Sequence, residues 1–174
     1  MSCTIRPAES GDEAGVIAVI RAVYDEYGFT WDADDYHADL YDLQAHYVDQ
    51  GHDFFVAEVG GLIVGTAALH NFPTVPGLEG LVDVGGFLRI AGCDCSLDRL
   101  YVPAAHRRHG IGKDLMAETL AKARTLGKRK MEIWSDKRFV EAHRLYQRLG
   151  AVVVGERICH DPDHSPEWGL ALAL

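Results

Sequence analysis

The sequence predicts an α/β chain of the α+β kind, built on a mixed sheet, and three observations carry that prediction. The second half alternates strand-like and helix-like periodicities, as strand–helix–strand–helix–strand units do. The first half contains a hairpin signal, two apolar runs separated by two glycines. No repeat, low-complexity tract or linker divides the 174 residues, so one domain, 1–174, is expected, long enough for a sizeable core. All-β and all-helical classes are excluded.

Taken in order, TIRPA (4–8) reads as a short strand ended by Pro7. Ser10 followed by Glu13 is a capping-box pattern. The helix behind it places Val16, Ile20, Val23 and Tyr27 on one face before Gly28 stops it. A second helix is expected over 35–49, with Tyr36, Leu40, Leu43 and Tyr47 as its stripe. DFFVAEV (53–59) and LIVGTAALH (62–70) are the hairpin strands around Gly60 and Gly61. Residues 71–92 hold two prolines and five glycines and read as a loop with an irregular strand near 82–90.

CSLDRLYV (95–102) is the next strand. A helix over 110–126 turns Leu115, Met116, Thr119, Leu120, Ala123 and Leu126 inward. Gly127 stands just past its end, and Lys122, Arg124 and Lys128 sit at the negative end of its dipole. KMEIWS (130–135) is a strand, and 136–150 a helix with Phe139, Ala142, Leu145, Tyr146 and Leu149 inward. AVVVGERI (151–158) and EWGLALAL (167–174) are strands around a polar loop, CHDPDHSP.

Composition narrows the function. With 48% hydrophobic and 25% charged residues the chain has the balance of an ordinary soluble protein. No apolar run approaches the ~18 residues of a membrane span. MSCTIRPAESGDE has no basic segment followed by an apolar one, so no signal peptide is read and a cytoplasmic location is expected. A net charge of −9 argues against nucleic acid as a partner and is compatible with a cationic substrate. The early acidic residues, Asp25, Glu26, Asp32, Asp34, Asp35, Asp39 and Asp42, read as a solvated face. Cys3, Cys93, Cys95 and Cys159 are expected as reduced, buried or half-buried thiols. Cys93 and Cys95 lack the two-residue spacer of metal pairs, and the Cys159, His160, Asp161, Asp163 and His164 loop fits no standard zinc spacing, so no metal is assigned.

The chemistry-bearing stretch is YVPAAHRRHGIGKDLM (101–116). A strand stops at Pro103, which lacks an amide donor. Gly110 and Gly112 then allow close backbone approach at the first turn of a helix, where free N–H groups and the dipole make an anion site. Arg107, Arg108, His109 and Lys113 add charge. A phosphate or pyrophosphate is the expected ligand at 107–113. Glycines that serve packing alone, with solvated arginines, remain the other reading of this stretch. A phosphate-binding loop of the GxxxxGK[ST] type is absent, and a dinucleotide fingerprint needs glycine where Leu115 stands.

LYVPAAHRRHGIGKDLM resembles the acetyl-CoA-binding signature of the GNAT superfamily of N-acetyltransferases: a strand ending V-x-P, then R/Q-x-x-G-x-G/A, then an amphipathic helix. Arg107, Gly110 and Gly112 fill its key places. AHRLYQRLG downstream is similar to the family's A-x-x-L-Y-x-x-x-G element, filled by Ala142, Leu145, Tyr146 and Gly150. The resemblance covers nearly the whole chain. It implies the acyl-CoA N-acyltransferase fold: a mixed, mostly antiparallel sheet of six to seven strands, splayed at the strand before the cofactor loop, with about four helices. It implies direct acetyl transfer from acetyl-CoA to a primary amine of a small molecule or peptide, with Leu100, Tyr101, Val102, Arg107, Arg108, His109, Gly110, Ile111, Gly112, Lys113, Phe139, Ala142 and Tyr146 at the cofactor.

Tyr146 is then the proton donor to the leaving thiolate and Asp98 the candidate base, with Glu132 and His143 as weaker options. A salt bridge to Arg99 or Arg89 is the other role open to Asp98. Ser96 stands where many members carry glutamate, and Phe139 where many carry asparagine. Those departures keep an acyl-CoA-binding regulatory module without turnover as the alternative. His70, Asp98 and His160 are expected at the acceptor. Homodimers are common in the superfamily, which makes a second copy an expected partner.

Overall fold

A computed structural model describes residues 3–174. Its elements are β1 (Cys3–Pro7), α1 (Glu13–Tyr27), α2 (Leu43–His46), β2 (Asp53–Val59), β3 (Leu62–Asn71), β4 (Leu81–Val84), β5 (Phe87–Ile90), β6 (Cys95–Tyr101), α3 (Ile111–Thr125), β7 (Lys130–Asp136), α4 (Val140–Arg148), β8 (Val152–Ile158) and β9 (Pro166–Ala173). Seven strands form one sheet in the order β1-β2-β3-β6-β7-β9-β8, and β4–β5 is a separate hairpin. Within the large sheet only β6 and β7 run parallel. The expected mixed, mostly antiparallel sheet with four helices is the observed one. Among the described residues no helix is long and apolar enough to cross a membrane.

Period-two alternation along β2 buries both of its faces. Phe55 and Ala57 meet Ile111, Leu115, Met116 and Leu120 of α3, while Phe54 and Val56 meet Val16, Ile20 and Tyr24 of α1. Each Val, Ile, Leu, Met or Phe among them contributes roughly 1.5–3 kcal/mol when taken from water. Small residues let the helices come close. A Cβ on Gly65 would lie 2.9 Å from Leu115 and one on Gly15 would lie 2.8 Å from Ile63.

Several local expectations are corrected. The Ser10 capping box does not form. Arg6 and the Glu9 N–H occupy the Asp12 carboxylate, Glu13 accepts the Gly11 N–H at 2.9 Å, and the helix begins at Glu13. Residues 35–49 are not one helix. Asp42, at φ −151°, interrupts the chain between a 3-10 turn (Ala38–Tyr41) and α2, which it caps by accepting the Ala45 N–H. Leu40, Leu43 and Tyr47 are nonetheless buried. In 71–92 the irregular strand is a true hairpin, β4–β5, turned by Gly85 and Gly86 at φ 62° and 89°. Leu126 and Leu149, expected inward, are exposed because each lies past the last turn that faces the core. The acidic run is only partly a solvated face: Glu26 and Asp39 pair with arginines and Asp42 caps a helix. All four cysteines are free, three of them buried.

The feature that makes a cleft is the parting of β6 from β7. They pair only through Cys95–Met131, Ser96–Glu132 and Leu97–Ile133. Beyond that point β6 runs on against β3, and β7 against β9. The cause is a bulge. Thr66 faces Tyr101 and Ala68 faces Asp98, so Arg99 and Leu100 together oppose Ala67. Arg99 takes φ +52°, uncommon for a side chain of its size. Buried Thr66 holds the bulge by donating its hydroxyl to the Arg99 carbonyl at 2.7 Å. Thr66→Val, which keeps the shape and removes the donor, is expected to lower stability by about 1–2 kcal/mol in urea unfolding. Unchanged stability would mean that this bond does not hold the bulge.

Candidate functional site

One cavity of about 870 Å³ follows the parted strands from the start of α3 to the far end of β3. At its near end the chain leaves β6 through Pro103 and a 3-10 turn, Ala104–His106. Arg108 and Gly110 take φ 64° and 84°, which aims the chain into α3. The first bond of the helix runs from the Asp114 N–H to the Gly110 carbonyl, 2.9 Å. The N–H groups of Gly110, Ile111, Gly112 and Lys113 therefore precede the ladder, at the positive end of a 15-residue helix. A Cβ on Gly112 would meet only Val102, at 3.9 Å. No protein atom requires glycine there, so the space beside the amides is free for a ligand.

The charges around these amides divide. Arg108 and Lys113 are exposed at the cavity mouth. Arg107 does not point its guanidinium at an incoming anion: Nε donates to the Val102 carbonyl at 2.8 Å, and both terminal nitrogens bind Glu26 at 2.7 Å. It fastens the loop to α1 and to the end of β6. His109 lies outside the cavity, exposed and turned toward the His106 carbonyl.

Leu100, Tyr101, Val102, Ile111, Phe139, Ala142 and Tyr146 all line the middle of the cavity. Phe139 joins an aromatic group with Tyr27, Phe29 and Tyr101. Across from β6, Ser135 Oγ lies 3.0 Å from Nε2 of His143, which places His143 behind Ser135. Tyr146 is 4% exposed and its hydroxyl makes no hydrogen bond among the described residues. Burial, with Tyr101 and Asp98 adding to it, pushes the phenol well up from its ordinary value, so it holds its proton.

At the far end the sequence-predicted residues form a different unit from the one expected. Asp98 is not paired with an arginine. Its Oδ2 accepts from His70 Nδ1 at 2.6 Å and from Ser96 Oγ at 2.5 Å. Burial pushes this carboxyl up, but the His70 charge and hydrogen bond, with Ser96 and Arg99, bring it down to about 2. A carboxyl that acidic is a poor proton acceptor. His70 is drawn the other way. Burial lowers it, while the Asp98 charge and hydrogen bond outweigh burial and raise it. With Nδ1–H given to Asp98, a neutral His70 keeps its lone pair on Nε2. Ser96 sits behind the pair, buried and off the cavity lining. Glu132 is excluded as a base because it accepts from Arg89 Nε at 2.6 Å and the Ile90 N–H at 2.8 Å, tying the β4–β5 hairpin to β7. His160 does line the cavity, 4.7 Å from the Phe87 ring.

Sequence reasoning missed Asp39, Tyr36, Tyr47 and Phe87, which line the far half. Arg99, which turns back from the bulge, donates to Asp39 at 2.7 Å and to the Tyr36 carbonyl at 2.7 Å, and Tyr47 also donates to Asp39. The two-glycine turn at 85–86 was the signal for Phe87. For the others there was none, because they come from an irregular segment.

Comparison with known proteins finds the same architecture. The family model described as "Acetyltransferase (GNAT) family" matches residues 18–151. An uncharacterized N-acetyltransferase of Escherichia coli K12, YjgM, is 29% identical over 144 residues, 80% of this chain and 75% of that protein. A GNAT-family acetyltransferase structure from Staphylococcus aureus Mu50 superposes with a TM-score of 0.78 at 17% identity, covering 99% of both chains. The yncA structure from Salmonella typhimurium, solved with its cofactor acetyl-CoA, gives 0.72 at 20% identity, covering 100% of this chain and 95% of that one.

The two opposed shifts give a direct expectation. A raised histidine contributes stability fully present below its ordinary pKa and lost as pH rises through the folded value. The lowered Asp98 contributes stability present above the ordinary carboxylate range and lost as pH falls toward 2. In an NMR titration His70 should titrate above the ordinary value of roughly 6.5. In Asp98→Asn, where burial acts without the carboxylate, it should titrate below it. A His70 that titrates alike in both proteins would contradict the pairing.

Proposed function

Because the chain belongs to the GNAT acetyltransferase family, we propose that it transfers an acetyl group from acetyl-CoA directly to a primary amine of a small molecule or peptide. One observation carries this reading: a single cleft, opened by the parting of β6 and β7, joins the free amides of Gly110–Lys113 to the His70–Asp98 pair. The residues present fit the cofactor, since the amides offer N–H donors for a pyrophosphate and the side-chain-free face of Gly112 leaves room for it.

Acetyl-CoA would supply an activated acetyl thioester. The chain's own groups do the rest. Amides of Gly110–Lys113, with Arg108 and Lys113, hold the phosphates. The edge of β6 beyond Leu97 has no strand partner on its β7 side and offers backbone donors and acceptors to an amide-bearing arm. His70 accepts the acceptor ammonium's proton at Nε2, and Asp98 keeps the ring in the tautomer that can do so. Tyr146 holds a proton at its hydroxyl for the departing thiolate, whose ordinary pKa is near 8.5. The base assigned to Asp98 from the sequence thus moves to its partner, and Asp98 becomes a positioning residue.

Thiol release with a panel of amines tests the reading. CoA should raise the melting temperature, and Gly112→Val should abolish that shift while leaving the fold intact. Gly110→Val confounds the same test, because a side chain at φ 84° costs roughly 1–2 kcal/mol of stability. Tyr146→Phe should lower kcat roughly 100-fold with CoA affinity unchanged. CoA binding without thiol release for any amine would favour the binding module. No effect of CoA at millimolar concentration would sink both.

A further inference from the structure

The far half of the cavity is lined by residues of three separate segments: Phe29 and Tyr36; Phe87; and Cys159, His160 and Asp161. The segment between α1 and α2 is tied across the cleft to the segment between β8 and β9. The Thr30 N–H and hydroxyl both donate to the Asp163 carboxylate at 2.7 Å. Below that strap the Tyr36 hydroxyl lies 3.6 Å from Cys159 Sγ. The same β8–β9 segment reaches the β4–β5 hairpin through His160 and Phe87, and Arg157 of β8 donates to the hairpin's Leu88 carbonyl at 3.0 Å. Three separate segments, each contributing residues to the cavity lining, are thus tied to one another along its far half. A polypeptide acceptor needs an open channel leading away from its terminal residue, and these ties join the segments between which such a channel would run.

The charges in this half are also allocated. Its two arginines are both neutralised: Arg99 by Asp39 at 2.7 Å, Arg157 by Glu167 at 2.8 Å. Among the described residues the carboxylate of Asp161, 8% exposed, accepts only from Ser165, by its N–H at 2.8 Å and its hydroxyl at 2.6 Å; Arg138, which donates to that hydroxyl at 3.3 Å, is itself paired with Asp136 at 2.7 Å. Once His70 has lost its proton, the far half holds the carboxylates Asp98 and Asp161 without an ion-pair partner of their own, and among the described residues no unpaired cation lines it. A carboxylate or phosphate on the acceptor would have no counter-charge and would face two anions. The walls are aromatic, with Tyr36, Tyr47, Phe87 and Tyr101 facing the space.

We infer that the acceptor is a compact primary amine with an apolar or aromatic body and no acidic group, enclosed beneath the Thr30–Asp163 strap. This rests on the acetyltransferase reading. The step balances: the ammonium gives one proton to His70, the neutral amine nitrogen bonds the acetyl carbon, the carbon–sulfur bond breaks as the thiolate takes the Tyr146 proton, and the second proton shed by the nitrogen returns to Tyr146 through solvent.

The test compares three acceptors of one side chain: 2-phenylethylamine, L-phenylalanine, and a tetrapeptide amide with N-terminal phenylalanine. Thiol release gives kcat/KM for each, and the melting shift with CoA is measured alongside. 2-Phenylethylamine should exceed the other two by at least about tenfold. Asp163→Ala and the milder Thr30→Ala should raise the peptide's rate several-fold while leaving that of 2-phenylethylamine within about twofold; Asp163 and Thr30 lie outside the cavity lining. Equal or better turnover of the amino acid or the peptide by the wild type would overturn the inference and leave the acetyltransferase reading standing. So would strap variants that leave the peptide's rate unchanged. A CoA shift with no thiol release from any of the three would overturn the inference, and the acetyltransferase reading would fall with it only if the wider amine panel also released none.

Discussion

The parting of β6 and β7 after three paired residues is the constraint on which the rest of the molecule depends. A sheet interior normally leaves no backbone group without a partner, so a gap in it must be held open by something. Here the bulge at Arg99 and Leu100 bends β6 toward β3, and the Thr66 hydroxyl and the Arg99 side chain keep it there. The gap sets the line of the cavity. It also determines what lies at the two ends, because the loop that follows β6 must turn into α3, and β3 must carry His70 beside Asp98.

Charge is distributed along that line in a consistent way. At the start of α3 the cations Arg108 and Lys113 remain exposed beside unpaired amides, while Arg107 is consumed in holding the loop. At the His70 end each arginine is cancelled by a carboxylate and the surplus is acidic. The two halves therefore differ in sign, with exposed cations at the helix start and surplus carboxylate at the far end. The net charge of −9 gave only the faint form of this, since most of the acidic residues lie elsewhere.

What the sequence made legible was local. The strand–loop–helix of 95–126, the hairpin of 53–70 and the terminal strands follow from periodicity and turn residues, and so do the free amides of 110–113, because they belong to one continuous stretch. Long-range placement was not legible. His70 meets Asp98 through the β3–β6 register, 28 residues apart, and Arg107 finds Glu26 across 81. Neither partner can be read from neighbouring positions. Asp42 broke the expected 35–49 helix because its side chain caps a new turn, and an alternating stripe cannot reveal a cap that interrupts it. The second two-glycine turn, at 85–86, was readable on the same grounds as the first, but the surrounding prolines and glycines obscured it.

The most direct measurement of the central claim is amide hydrogen exchange with and without saturating CoA. If the parted strands and the helix start form the cofactor groove, exchange should slow at Gly110–Lys113 and along 98–102, with little change in β1, β8 or the outer face of α1. Protection confined to other segments, or none at 98–113, would show that the gap between β6 and β7 is not where the cofactor binds.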